Sequence, residues 1–110
     1  MTAVTVKDEV VQRFLDAHLG TLVAEYRPEH MVLFGSRAVG TPREDSDIDL
    51  LIVAARFRET KSVDRHFRVR KTLGFPLGLD LLCYTPEEFE QLRDGFGLVA
   101  DICREGIWLL

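Results

Sequence analysis

The amino-acid sequence predicts an α/β fold, on two kinds of observation. Three apolar runs of strand length, HMVLFG, SDIDLLIVAA and LDLLCYT, are separated by segments whose apolar residues recur at helical spacing. Between them stand breakers: Pro28, the Gly35-Ser36 pair and the Gly-Pro-Gly punctuation of GFPLG.

Taken in order, Thr5 followed by Asp8 resembles a capping box. Val10, Phe14, Leu15, His18, Leu19, Leu22, Val23 and Tyr26 then outline the apolar side of a first helix. Pro28 disfavours helical geometry in the residue before it, so this helix should end near Arg27. HMVLFG reads as a buried strand, SRAVGTPRED as a short turn or helix, and SDIDLLIVAA as a second strand. Ser62 is placed to cap a basic helix reaching about Leu73, with Val63, Phe67 and the stem of Arg70 turned inward. After the third strand, LDLLCYT, a strong helix start combines a capping threonine (Thr85), proline at the first helical position (Pro86) and a capping-box glutamate (Glu88). Gly95 and Gly97 break that helix, a short helical turn follows, and GIWLL is apolar enough for a closing strand.

A chain of 110 residues reads as one domain, residues 1–110, with no room for a separate substrate-holding domain. With 46% hydrophobic and 29% charged residues its composition is that of a soluble globular protein. No apolar run approaches the roughly 18–20 residues of a membrane span. The segment MTAVTVKDEVVQRF has early acids and no apolar core, so no export signal is expected and the expected location is cytoplasmic. Cys83 and Cys103 lack a CxxC or His-rich partner, so neither a disulfide framework nor a zinc site is suggested, and they read as buried thiols. The net charge of -4 hides an asymmetry. Seven of the 14 Lys and Arg residues (Arg56, Arg58, Lys61, Arg65, Arg68, Arg70, Lys71) lie in one short segment against two acids, Glu59 and Asp64. Such a run is either a solvated helix face or a surface that attracts a polyphosphate or an acidic partner.

The chemistry concentrates in LFGSRAVGTPREDSDIDLLIV. Residues at i and i+2 of a strand share a face, so Asp47 and Asp49 stand side by side and repel unless a cation lies between them. Mg²⁺ commonly takes one or two carboxylates plus substrate phosphates, which suits such a pair. Asp80 interrupts the third apolar run in the same way. If the second and third strands are neighbours, three carboxylates converge on one sheet face as the ligand set of a two-metal phosphoryl-transfer site. Gly35 at a strand end allows backbone to approach a ligand closely, the amides of the turn after it can face phosphate oxygens, and Ser36 adds a hydroxyl. Taken alone, the aspartate pair also fits exposed acids at a strand end.

GSRAVGTPREDSDID, a Gly-Ser followed after ten residues by Asp-x-Asp, resembles the signature of the polymerase beta-like nucleotidyltransferase superfamily. Asp80 falls where that superfamily carries its third carboxylate, and the small size, YTPEEFEQL and REGIWLL look like its minimal nucleotidyltransferases (MNT, the MntA type). The resemblance runs from Val32 onward. It implies a small mixed sheet flanked by helices and transfer of AMP from ATP, or of another nucleoside monophosphate, with two Mg²⁺ ions and release of pyrophosphate. It implies metal binding by Asp47, Asp49 and Asp80, with Asp80 alternatively accepting the proton of the incoming hydroxyl. Gly35 and Ser36 would hold the triphosphate, and Arg37 is placed to reach a phosphate. It further implies a toxin-antitoxin pair in which this chain is the antitoxin and AMPylates a tyrosine of a helical HEPN-type toxin. Larger members carry domains that hold the acceptor, so here a partner or another copy must bring it.

Two other readings remain open. An interaction module, a non-catalytic antitoxin, would neutralise its partner by binding alone, and a third reading is transfer to a small molecule such as an aminoglycoside in a dimer-formed pocket. Direct binding or polymerisation of nucleic acid suits an acidic chain poorly. His18, His30 and His66 read as packing or surface residues. Trp108 reads as core, with an apolar C-terminal edge as the alternative.

Overall fold

A computed structural model of the protein describes residues 4–110. Helix α1 (Glu9–Tyr26) leads into strand β1 (His30–Phe34), a four-residue helix α2 (Ser36–Val39) and strand β2 (Ile48–Val53). Two 3₁₀ turns (Ala55–Glu59 and Ser62–Asp64) precede α3 (Arg65–Thr72), followed by β3 (Leu79–Tyr84), α4 (Pro86–Arg93), α5 (Leu98–Glu105) and β4 (Ile107–Trp108). The strands form one mixed sheet in the order β3-β2-β1-β4. β2 runs parallel to β3 and antiparallel to β1, which also pairs antiparallel with β4.

Strand alternation divides the core between the two faces of the sheet. Ile48, Leu50 and Ile52 of β2 join Met31, Leu33, Leu79 and Leu81 under α1 and α3, meeting Phe14, Leu15, Leu22 and Val69. Leu51 and Val53 point the other way and pack with Val32 against Phe89 of α4 and Val99 and Ile102 of α5. β2 is therefore covered on both sides, which is why its sequence is a nearly unbroken apolar run. The start of α4 forms as expected: the Thr85 hydroxyl accepts from the Glu88 amide (3.2 Å) and the Glu88 carboxylate accepts from the Thr85 amide (2.8 Å). Helix α1 stops at Tyr26, with Arg27 in the left-handed region (φ 46°) directly before Pro28.

Several expectations need correction. The Thr5–Asp8 capping box does not form: Asp8 is itself the N-cap and accepts from the amides of Val10 and Val11 (2.9 and 3.0 Å). The buried side of α1 accordingly holds Val11, while Val10 and Val23 are exposed. The Ser62 side chain makes no capping bond, and Val63 and Phe67 lie outside. Arg65 and Val69 face inward instead. Burying Arg65 is tolerable because its guanidinium donates to the carbonyls of Phe57 and Thr60 (both 3.1 Å) and Cys83 (3.3 Å) and to the Glu88 carboxylate (2.6 Å). The helical turn after Gly97 is a full helix, α5, while the closing strand shrinks to two residues. Trp108 in it is partly exposed, edge-on to His30 and Phe89, with Arg93 over its ring.

The corner between α5 and β4 leaves no space for a side chain. A Cβ on Gly106 would lie 2.5 Å from Val32 Cγ1 and 2.6 Å from the Ile102 carbonyl oxygen. Gly106→Ala should therefore destabilise the protein by about 1–3 kcal/mol, read as a lower urea midpoint at unchanged slope.

Candidate active site

The ladder between β2 and β3 sets Asp49 directly beside Asp80. Neighbouring strands lie about 4.8 Å apart, so in a parallel pair these two side chains rise from the same face. Asp47 stands just ahead of β2 and is exposed, as is Asp80, whereas Asp49 is half-buried. All three acids belong to the face carrying α4 and α5, at the sheet end away from the Phe89 contacts. Burial raises the Asp49 pKa above the ordinary carboxylate value, and the charges of Asp80 and then Asp47 push it in the same direction. Among the described residues, no ion pair takes in any of the three.

Two glycines lie beside these carboxylates, and the first is crowded by one of them. Gly35 caps α2 at φ 77°, and a Cβ there would fall 2.1 Å from Asp49 Oδ2. The Gly-Ser turn is thus pressed against the Asp49 carboxylate, a contact that only glycine permits. Gly78 (φ 69°) precedes β3, its carbonyl accepts from the Ile48 amide (2.8 Å), and its absent Cβ would lie 3.7 Å from Asp47 Oδ1. Ser36 opens α2, whose first amides have no intrahelical acceptor by position. Beside this turn lies a cavity of about 390 Å³ walled by Phe34, Gly35 and Val39 on one side and Leu98 and Ile102 of α5 on the other.

Uncompensated carboxylates against a backbone turn are a donor set that suits a hard divalent cation. They do not make a closed cage: among the described residues no group of three or more His, Cys, Asp or Glu is assembled to hold a metal ion by itself. The expected convergence is therefore looser than the sequence spacing suggested, since Asp47 lies ahead of the strand and nothing draws the three like charges together. The residues fit an ion whose remaining ligands are phosphate oxygens and water.

Arg37 points away from this turn. It is buried, its Nη1 donates to both Asp8 carboxylate oxygens (3.2 and 2.9 Å), its Nε to the Ser46 carbonyl (3.0 Å) and its Nη2 to the Glu44 carbonyl (3.5 Å). A guanidinium so engaged fastens the loop that delivers Asp47 to the start of α1, and is not turned toward a phosphate. Sequence reasoning gave Asp8 only a capping role and Gly78 only that of a breaker, and gave Ser46 none. A local signal for Gly78 is its place two residues ahead of an acid that interrupts an apolar run.

A mixed four-stranded sheet with helices on both faces, and acids gathered beside a Gly-Ser turn, define a nucleotidyltransferase class of fold. The nucleotidyltransferase domain family matches residues 15–108, and the chain belongs to that family, within the polymerase beta-like superfamily. Among solved structures, a protein of Sulfolobus solfataricus provisionally named a nucleotidyltransferase is similar in fold. Its TM-score is 0.55 at 24% identity, over 78% of this chain and 87% of that one. A weaker likeness, to BolA1 from Arabidopsis thaliana, has a TM-score of 0.49 at 24% identity, over 64% and 88% of the two chains, and carries no argument. No curated protein matches the sequence. Among the described residues no helix is long and apolar enough to cross a membrane.

Burial at Asp8 opposes its ionisation, but the amide of Val11, the hydrogen bond and charge of Arg37 and the amide of Val10 outweigh it and hold its pKa below the ordinary 3.8. A carboxyl with a lowered folded-state pKa adds stability that is complete above about pH 4 and lost as pH falls through the folded value. Arg37→Ala should cost about 2–3 kcal/mol at pH 7, because the Asp8 carboxylate is left partly unpaired. Asp8→Asn keeps a good N-cap and should cost less. Urea titrations should show the gap between wild type and Asp8→Asn closing below pH 4.

Proposed function

We propose that this chain is a Mg²⁺-dependent nucleotidyltransferase that moves AMP from ATP to a hydroxyl of a partner protein. Its role in this reading is the antitoxin of a HEPN/MNT pair, AMPylating a tyrosine of the HEPN-type toxin. The observation that carries the reading is the register of Asp49 with Asp80, with the Gly35-Ser36 turn pressed against Asp49 and no ion pair to either acid among the described residues. Membership of the nucleotidyltransferase family supports it.

In this reading Asp47, Asp49 and Asp80 hold the metal. The bound cation would neutralise the triphosphate and favour departure of pyrophosphate. Gly35 lets the backbone meet phosphate oxygens, Ser36 donates its hydroxyl to them, and the cavity flanked by Phe34 and Leu98 lies next to that turn. As the alternative to holding metal, Asp80, exposed at the edge of the group, would accept the proton of the attacking hydroxyl. The acceptor's hydroxyl oxygen bonds to the α-phosphorus as the bond to the bridging oxygen breaks and pyrophosphate leaves. Arg37, tied to Asp8 and the Ser46 carbonyl, acts by fixing the loop that carries Asp47. The acceptor comes from outside, since the Asp80 side of the sheet is open to solvent and β3 is the edge strand.

The test is intact mass spectrometry of the candidate partner after incubation with this chain, ATP and Mg²⁺. Wild type should add one or more AMP units, while Asp47→Asn/Asp49→Asn should add none although it folds. Full activity in the double variant overturns the assignment of those carboxylates. No transfer by wild type, with the complex formed and the toxin still inhibited, would leave an antitoxin that acts by binding alone.

Charge and stability should also part company at this site. Without metal, Asp49→Asn should raise Tm, since it removes a carboxylate that burial and two like charges disfavour. Mg²⁺ should raise the Tm of wild type and leave that of Asp47→Asn/Asp49→Asn unchanged. Because the Asp49 pKa is raised, acidification should abolish the Mg²⁺ shift at a higher pH than an ordinary aspartate requires. Thermal melts across pH 4–8, with and without Mg²⁺, check all three expectations.

A further inference from the structure

The fold sorts the cations of the basic segment into two groups. Arg65 is buried against Glu88, Arg58 pairs with Glu87, and Arg70 binds the Leu79 carbonyl and His66. Arg56, Arg68 and Lys71 make no ion pair among the described residues, and all three line one cleft of about 740 Å³ between the end of α1, the first 3₁₀ turn and α3. Its floor includes Phe57, which packs with Leu50 and Ile52, so the cleft belongs to the sheet face opposite the Asp49 side chain. On its rim Phe67 is 54% exposed and meets the exposed Phe75 ring at a tilt of 56°, with centroids 5.6 Å apart.

We propose that this cleft is a docking site for an acidic, partly apolar segment of another protein. Three free cations in a chain of net charge -4 give a local field opposite to that of the remaining surface, which attracts and orients a negatively charged segment. Glu25 and Glu59 stand on the same walls. A nucleic-acid strand, with a phosphate at every nucleotide, would bring charge against them. A peptide can set its carboxylates opposite the cations and leave uncharged residues opposite the two glutamates. The exposed Phe67 ring is a seat for an apolar side chain, which a purely electrostatic site would not need. The site does not rest on the transfer reaction: it lies on the other face of the sheet and is assayed by binding alone.

The probe is a fluorescein-labelled amphipathic peptide of about four helical turns, Glu-rich with one Leu/Phe stripe, titrated by anisotropy and followed by amide chemical shifts of the ¹⁵N-labelled protein. Expected are micromolar binding and shifts centred on Tyr26, Thr60, Phe67 and Thr72. Arg56→Glu/Arg68→Glu/Lys71→Glu should weaken binding about tenfold or more, and so should raised salt. Among the described residues the three side chains make no ion pair that the variant would break, and its melting curve checks that it folds. A peptide that does not bind, or that binds the charge-reversed variant equally well, overturns the proposal. So does a single-stranded U16 RNA that shifts the same amides at lower concentration, or concentration-dependent self-association of the chain that charge reversal abolishes. The first would reassign the cleft to nucleic acid, the second to a further copy of the chain.

Discussion

Strand β2 is covered on both faces and paired on both edges, and the placement of every element around it follows from that. Leu50 and Ile52 require a helical layer on one side, Leu51 and Val53 a second layer on the other, and each layer is supplied by two helices. A strand so enclosed has little freedom of register, because a slip of one residue would exchange its two apolar faces and bury Asp49. The same constraint that builds the core therefore fixes where the carboxylate emerges. It also holds Asp49 next to Asp80, a pairing that no isolated hairpin would retain against like-charge repulsion.

The acidic end of the sheet is a region where stability has been set aside. Asp49 is disfavoured by burial and by two neighbours of its own sign, and Gly35 holds a positive φ against its carboxylate. Such local conflict in an otherwise consistent fold is what makes this the candidate functional site, since core packing alone would have placed an apolar residue there. The compensating order lies a short distance away. The Asp8–Arg37 pair closes α1, α2 and the loop up to Ser46 into one unit, so the loop that delivers Asp47 is held by charge and hydrogen bonds.

The segment 56–71 shows why composition and placement must be read separately. Seven cations in one short segment look alike in the sequence, yet Arg65 ends up in the core with four oxygen partners, Arg58 and Arg70 bind Glu87 and the Leu79 carbonyl, Arg56, Arg68 and Lys71 line one cleft, and Lys61 is exposed outside it. Helical periodicity put Val63 and Phe67 inside. The structure turns the helix so that Arg65 goes in, because Glu88 and three carbonyls are waiting there.

What the sequence by itself determined is whatever has a short-range cause. Pro28 ends α1, Thr85, Pro86 and Glu88 start α4, and three apolar runs become strands. What only the tertiary structure decided depends on partners far along the chain. Arg37 meets Asp8 across 29 residues and Arg65 meets Glu88 across 23, so neither role leaves a trace in the local pattern. The neighbourhood of Asp49 and Asp80 likewise required β2 and β3 to pair in parallel, in a register chosen by the apolar residues on both faces of the sheet and not by the acids themselves.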